Sequence, residues 1–443
     1  MTPMLRALAC VVLAALVHAL TPPPDALRAG LALFVLIVGL WMTQALHLSV
    51  TALLVPLLAV LAGLMGVRDA LASFANPIIF LFLGGFALAA ALQRHGLDQA
   101  LSGGVLRLAR GRRQRAVLLL FALTAALSMW ISNTATAAMM LPLALGLLRG
   151  DDSIGPREKA FVLLGLAYSA SIGGIGTLVG SPPNAIAAAQ AGLDFAGWLR
   201  IGLPMALLLA PLLVGVLWLA LRPQLAGRLA PATREPIAWT RERVLTVVIF
   251  ALTAAGWVAG APLGRWLGVG ADMDSLVALA AIVALVATRA LDWTDIVRQT
   301  RWGVLLLFGG GLALSQVMGS SGASRFLADQ LVAALHAAPT LVVLAGVVAF
   351  VVFLTELVSN TASAALLVPI FLGVASALGL SPTLLAAAIA VAASCAFMLP
   401  VATPPNAIVF GTGAVPAATM MRCGLLLNVV CIGVIVAVAS ALA

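Results

Sequence analysis

Residues Ser132–Pro142 read SNTATAAMMLP, and residues Ser359–Pro369 read SNTASAALLVP; seven of the eleven positions are identical. Each copy lies inside a long apolar run, where hydroxyls and an amide are costly unless they find partners. A costly pattern that recurs within one chain marks where function is to be sought.

The surrounding composition fixes the class. Of 443 residues, 63% are hydrophobic and 9% charged, and the mean hydropathy is +1.16. A soluble domain carries about 25% charged residues. Apolar runs of about 20 residues recur along the chain, each long enough to cross a hydrocarbon layer of about 30 Å. An all-α polytopic membrane protein is expected, surrounded by lipid. Continuous apolar runs argue against a β-barrel, whose strands alternate apolar and polar residues. The net charge of +9 comes almost wholly from arginine, since Lys159 is the sole lysine. In this class the excess reads as positive-inside loops and not as a nucleic-acid surface. Cys10, Cys395, Cys423 and Cys431 fall in apolar stretches without metal-ligand spacing, so they read as buried hydrophobes without disulfides. Arg6 precedes the first apolar run, but Val17-His18-Ala19-Leu20 is a poor cleavage site, so an uncleaved first span is expected.

Outward from the two triplets the chain repeats itself. The first lies in an apolar region, 116–148, with a polar centre, which predicts a re-entrant hairpin. A run over 160–190 follows, interrupted by Gly173-Gly174-Ile175-Gly176 and by Gly180-Ser181-Pro182-Pro183-Asn184. Glycine and proline there predict a helix that unwinds and restarts. The second half offers a hairpin over 340–378 and a broken helix over 382–413 that contains Ala402-Thr403-Pro404-Pro405-Asn406. Gly84-Gly85 pairs with Gly310-Gly311 at an offset of 226, Ser132 with Ser359 at 227 and Ser181 with Thr403 at 222. This spacing predicts an inverted five-segment repeat behind one unpaired span, about eleven transmembrane segments in all. The divisions are residues 1–28 for the unpaired span, 29–222 for the first repeat, 223–243 for a cytoplasmic linker and 244–443 for the second repeat. The loops 94–115, 149–159, 222–243 and 289–301 hold 17 of the 24 basic residues, which places them and the N-terminus in the cytoplasm.

The chain has no HExxH, nucleophile elbow, Walker A motif or ladder of carboxylates. Catalysis and ATP-driven transport are therefore not expected. Glu356, alone well inside a hydrophobic hairpin, reads as a proton carrier or as a structural partner for N–H groups in the hairpin. Broken helices leave unpaired N–H groups at one half's start and unpaired carbonyls at the other half's end. The first suit anions, the second a small hard cation such as Na⁺. Taken singly, a Ser-Asn-Thr is more often interhelical glue, a Pro-Pro-Asn a helix stop and a glycine pair a close crossing. Recurrence of triplets and Pro-Pro-Asn runs in register favours a binding site.

The most specific stretches are Tyr168–Asn184 (YSASIGGIGTLVGSPPN), Thr355–Pro369 (TELVSNTASAALLVP) and Phe397–Asn406 (FMLPVATPPN), with Trp302–Leu312 in support. From Trp41 onward the chain resembles the divalent anion/Na⁺ symporter family of dicarboxylate, citrate and sulfate carriers. The resemblance implies a homodimer in which one domain slides against a dimerising scaffold in an elevator motion. It implies one Na⁺ near Ser128, Ser132, Asn133 and Gly180, and a second near Thr355, Val358, Asn360 and Ala402. Val358 is bulkier than the small residue expected there, so it would bind through its carbonyl. Substrate carboxylates would meet Ser132, Asn133 and Thr134 on one side and Ser359, Asn360 and Thr361 on the other. Ser181-Pro182 and Thr403-Pro404 would complete the pocket.

The expected function is Na⁺-coupled uptake of C4-dicarboxylates (succinate, malate or fumarate) across a bacterial inner membrane. Two facing triplets suit a ligand with an anionic group at each end. The alternatives are a dicarboxylate exchanger without net Na⁺ coupling, and a sulfate or citrate carrier of the same fold. A membrane-embedded enzyme is disfavoured, because no cluster of charged residues marks a cleft.

Overall fold

A computed structural model describes residues 2–97, 108–148, 154–225, 227, 238–269, 272–335, 339–377 and 380–442. Arg107, Arg149, Arg228, Arg234 and most of the 223–243 linker, all used in the charge argument, lie outside the described residues. The described chain is helical, with no strand.

The first half runs α1 (Pro3–Leu20), α2 (Asp25–Thr43), α3 (Leu48–Leu61), α4 (Val67–Ala72), α5 (Pro77–Arg94), α6 (Arg113–Ser128), α7 (Asn133–Leu147), α8 (Pro156–Ile175), α9 (Pro182–Ala191) and α10 (Phe195–Leu221). The second runs α11 (Arg241–Val258), α12 (Gly260–Leu267), α13 (Met273–Ala287), α14 (Trp293–Gln299), α15 (Trp302–Ser320), α16 (Ala323–Leu335), α17 (Thr340–Thr355), α18 (Asn360–Ala377), α19 (Pro382–Ala393), α20 (Pro404–Phe410) and α21 (Ala417–Leu442). Both predicted hairpins are helix pairs, α6–α7 and α17–α18, whose members pack on each other with a triplet starting the second helix. At 15 residues α7 is about 22 Å long, too short to cross a bilayer. Both broken helices are present. Pro182-Pro183 and Pro404-Pro405 occupy the first turn of α9 and α20, where a missing N–H costs nothing.

Among the described residues six helical stretches are long and apolar enough to cross a membrane. The pair α11–α12, bent by 82°, makes a seventh. The expected eleven also needs α3, α13 and the two broken pairs α8–α9 and α19–α20, none of which meets that length and composition. The polar stretch at Arg68-Asp69 is helical (α4) and runs through a 3₁₀ turn, Ser73–Ala75, into α5. α16 carries no signal that stood out in the sequence.

The first halves of the broken helices form the centre. Residues 160–175 of α8 and 385–393 of α19 are buried on every side, as expected of helices that are apolar all round. α8 packs against α6, α7, α10 and α20; α19 packs against α9, α17, α18 and α21. The second halves cross over: α9 lies on α18 and α20 on α7. The glycine pairs act as close crossings. A Cβ on Gly84 would come within 2.6 Å of Ala278 on α13, and one on Gly310 within 2.6 Å of Ala52 on α3.

Candidate functional site

Each triplet opens a helix and is tied down in the same way. Ser128, the last residue of α6, donates its hydroxyl to the Ala170 carbonyl at 2.6 Å and lies 2.8 Å from Asn133 Oδ1. Thr355, the last residue of α17, donates to the Ala393 carbonyl at 2.9 Å and lies 2.8 Å from Asn360 Oδ1. Hydroxyl, amide and helix carbonyl thus recur as a set, with Ala170 on α8 and Ala393 on α19 supplying the carbonyls.

The Asn133 amide fits its nest in two ways. With its nitrogen inward it donates to Ser128 Oγ at 2.8 Å and to the carbonyls of Ala170 and Gly180, each at 3.2 Å. With its oxygen inward, four oxygens converge. They come from Ser128, Asn133, Ala170 and Gly180, and the only hydrogen is the Ser128 hydroxyl's. Oxygen-only donor sets are what a small hard cation takes, and nothing else there would compensate the lone pairs.

The unwound segments are held by their own asparagines. Asn184 Nδ2 reaches back to the carbonyls of Gly174 at 2.8 Å and Thr177 at 2.7 Å. Asn406 Nδ2 reaches Ala396 at 3.2 Å and Leu399 at 3.0 Å. Each amide closes carbonyls that the helix break orphans. Thr177 ties hairpin to break, since its hydroxyl donates to the Met129 carbonyl and accepts from the Gly180 N–H at 3.2 Å.

Glu356 serves a different partner from the one expected. Its carboxylate accepts N–H bonds from Phe397 (2.7 Å), Met398 (2.9 Å) and Leu399 (3.0 Å), and from Asn428 Nδ2 (2.8 Å). Phe397–Leu399 belong to the unwound segment between α19 and α20, not to the hairpin. Glu356 stands at the C-terminal end of α17, from which its side chain crosses to the neighbouring break. On the opposite side the sole tyrosine, Tyr168, donates to the Phe397 carbonyl at 2.7 Å.

The predicted residues are placed as follows. Ser128, Asn133 and Gly180 converge, and Thr355 meets Asn360. Ser132 accepts the Ala135 N–H at 3.4 Å and caps α7. Thr134 faces Arg301, whose Nη1 is 3.4 Å from its hydroxyl. Ser181 and Thr403, both nearly fully buried, are the residues before the proline pairs. Pro182 starts α9, which packs on the α18 helix of Ser359, Asn360 and Thr361; Pro404 starts α20, which packs on the α7 helix of Asn133 and Thr134. Val358 is buried and its N–H continues the last turn of α17 at 3.1 Å, while the Ala402 N–H donates to Leu399 at 3.2 Å. Sequence reasoning missed Ala170, Ala393 and Thr177, and it missed the staple role of Asn184 and Asn406. Nor did it single out Arg301, which lies just before α15 and reaches the first triplet at Thr134. Trp130, in the turn before that triplet, stacks on Trp257 at 6.3 Å and Phe195 at 6.1 Å, and meets Phe250 edge-on at 5.1 Å.

Comparison with known proteins agrees with this architecture. The citrate transporter (CitMHS) family profile matches residues 38–392. An uncharacterized transporter of Haemophilus influenzae is 50% identical over 420 residues, covering 92% of this chain and 90% of that one. A sodium-dependent dicarboxylate transporter of Staphylococcus saprophyticus is 34% identical over 433 residues, covering 90% of this chain and 82% of the relative. Among solved structures, the YdaH transporter of Alcanivorax borkumensis superposes with a TM-score of 0.58 at 17% identity, over 83% of this chain and 86% of that one. That likeness concerns the fold alone.

Proposed function

The chain belongs to the citrate transporter family of divalent anion carriers, and from that premise we propose that it takes up C4-dicarboxylates coupled to Na⁺. That it is a multi-pass membrane transporter and not an enzyme follows from the family; substrate, ion and mechanism are our reading. The observation that carries the reading is the repeated bridge of hydroxyl, asparagine and helix carbonyl beneath each triplet. A relative described as a sodium-dependent dicarboxylate transporter supports it.

The coupling step rests on the Asn133 amide. Without a cation its nitrogen turns inward and its carbonyl oxygen faces outward, against an incoming carboxylate. Na⁺ in the nest draws the oxygen inward and turns the NH₂ group toward the substrate. The ion thereby converts an acceptor into a donor at the anion's position. The starts of α7 and α18 add the positive ends of their peptide dipoles. A dianion spans the triplets Ser132–Thr134 and Ser359–Thr361, with Ser181-Pro182 and Thr403-Pro404 walling the pocket. The second Na⁺ lies by Thr355, Asn360 and the Ala393 carbonyl, with Val358 and Ala402 offering carbonyls. The hairpins and broken helices move as one elevator body against the remaining helices, in a homodimer within a bacterial inner membrane and with the N-terminus cytoplasmic.

Uptake of labelled succinate into proteoliposomes tests this. An inward Na⁺ gradient is expected to drive accumulation, and Asn133→Ala and Asn360→Ala are each expected to cut it at least about tenfold with expression intact, as loss of one charge-assisted contact implies. Uptake that needs only luminal dicarboxylate and ignores Na⁺ would replace symport with exchange. Absence of saturable dicarboxylate flux in either format would remove the substrate class.

A further inference from the structure

The Ser132–Thr134 triplet touches a cation, and among the described residues its twin touches none. Arg301 lies between α14 and α15, with Nη1 3.4 Å from the Thr134 hydroxyl. It has no ion-pair partner among the described residues. The two aspartates of its own arm, Asp292 and Asp295, are both engaged by Arg94 at the end of α5, the first at 3.0 Å. That double ion pair fastens α14 to α5. Arg301 is exposed as a residue, while protein crowding around its guanidinium holds its pKa below the ordinary arginine value. A crowded guanidinium without a carboxylate is one that gains from an anion. In repeat register the first half has Ala75 at this place, and no basic side chain bonds to Ser359–Thr361 among the described residues.

We propose that Arg301 is a specificity-determining residue that binds one carboxylate of the dianion at Thr134 and selects for the doubly charged ligand. This rests on the dicarboxylate reading above. Thr134 offers a hydroxyl to one carboxylate oxygen, and the planar guanidinium takes the other oxygen or both. The far carboxylate meets only hydroxyls, amides and helix ends at the second triplet. The two ends of the pocket are therefore unequal. A ligand that loses one charge keeps the end that needs no cation and loses the contact that Arg301 makes.

The test compares wild type, Arg301→Gln and Arg301→Lys in the same proteoliposomes, with labelled succinate and a fixed Na⁺ gradient. Arg301→Gln is expected to raise KM about tenfold or more, with Vmax within about twofold, and Arg301→Lys to recover part of the loss. Raising ionic strength with choline chloride should raise the wild-type KM and leave that of Arg301→Gln nearly flat, because only the former uses an exposed charge. An unchanged KM in Arg301→Gln beside active wild type overturns the role of Arg301 while leaving the transport reading in place. A fall in Vmax alone, with KM and its salt dependence unaltered, also overturns it and makes the contact a latch between the start of α15 and the hairpin. If wild type itself shows no saturable succinate flux, the dicarboxylate reading fails and this inference with it.

Discussion

Glu356→Gln is expected to abolish transport and to lower the melting temperature of the purified protein. The carboxylate accepts four N–H bonds, three of them from the consecutive residues Phe397, Met398 and Leu399. An amide has one acceptor oxygen. Its nitrogen would face either the Leu399 N–H or the cluster of Phe397, Met398 and Asn428 donors. The cost is roughly 2–4 kcal/mol, from one charge-assisted bond lost and one buried donor set against another donor. It falls on the segment that leads into Thr403 and α20, so the pocket loses its shape. A proton-carrying Glu356 predicts something else: a glutamine variant of unchanged melting temperature that loses only a pH-dependent component of flux. That result would sink the structural role.

Gly174→Ala is expected to remove Na⁺ binding at the first nest with little harm to the fold. Gly174 lies in the last turn of α8, directly beneath the Asn133 side chain, and a Cβ there would land on Asn133 Oδ1. The amide must move, and with it the oxygen cluster. An alanine also raises helix propensity by about 1 kcal/mol, so global stability should hold. The measurement is Na⁺-dependent thermal stabilisation, weaker in the variant than in wild type because only the second Na⁺ remains, alongside uptake reduced by about a hundredfold or more. The second half makes the contrast internal. Asn406 bonds Ala396 as Asn184 bonds Gly174, so alanine already stands at the matching place. The requirement for glycine is therefore peculiar to the first nest. Wild-type Na⁺ affinity in Gly174→Ala would show that the Asn133 amide is not a ligand.

The sequence makes the two hairpins, the two breaks and their order legible, because the costly features come in pairs. Ser-Asn-Thr in an apolar run and Pro-Pro-Asn at a helix restart are local signals, and their repetition at nearly constant spacing separates them from ordinary packing. The less legible features depend on crossings that no periodicity encodes. Arg301 is 167 positions from Thr134 and looks like any loop arginine until the fold brings the start of α15 to the first triplet. Glu356 has an obvious neighbourhood in its own hairpin, yet its partners are 41 to 72 residues away, in the unwound segment and on α21. Ala170 and Ala393 contribute only backbone carbonyls, so their identity carries no trace of the role. Asn184 and Asn406 are visible as motif members, but their work as staples needs the unwound carbonyls in view.

The crossover of the two short half-helices has a consequence for biosynthesis. α7, in the first third of the chain, packs against α20, which begins at Pro404. A nascent chain emerging from the ribosome can thread its early spans into the bilayer but cannot complete the wall around its first triplet until nearly all 443 residues have been made. Until then the polar tip of the first hairpin lacks the cover that α20 gives it. An early segment thus waits for one of the last elements made, and the first triplet's wall closes only near the end of synthesis.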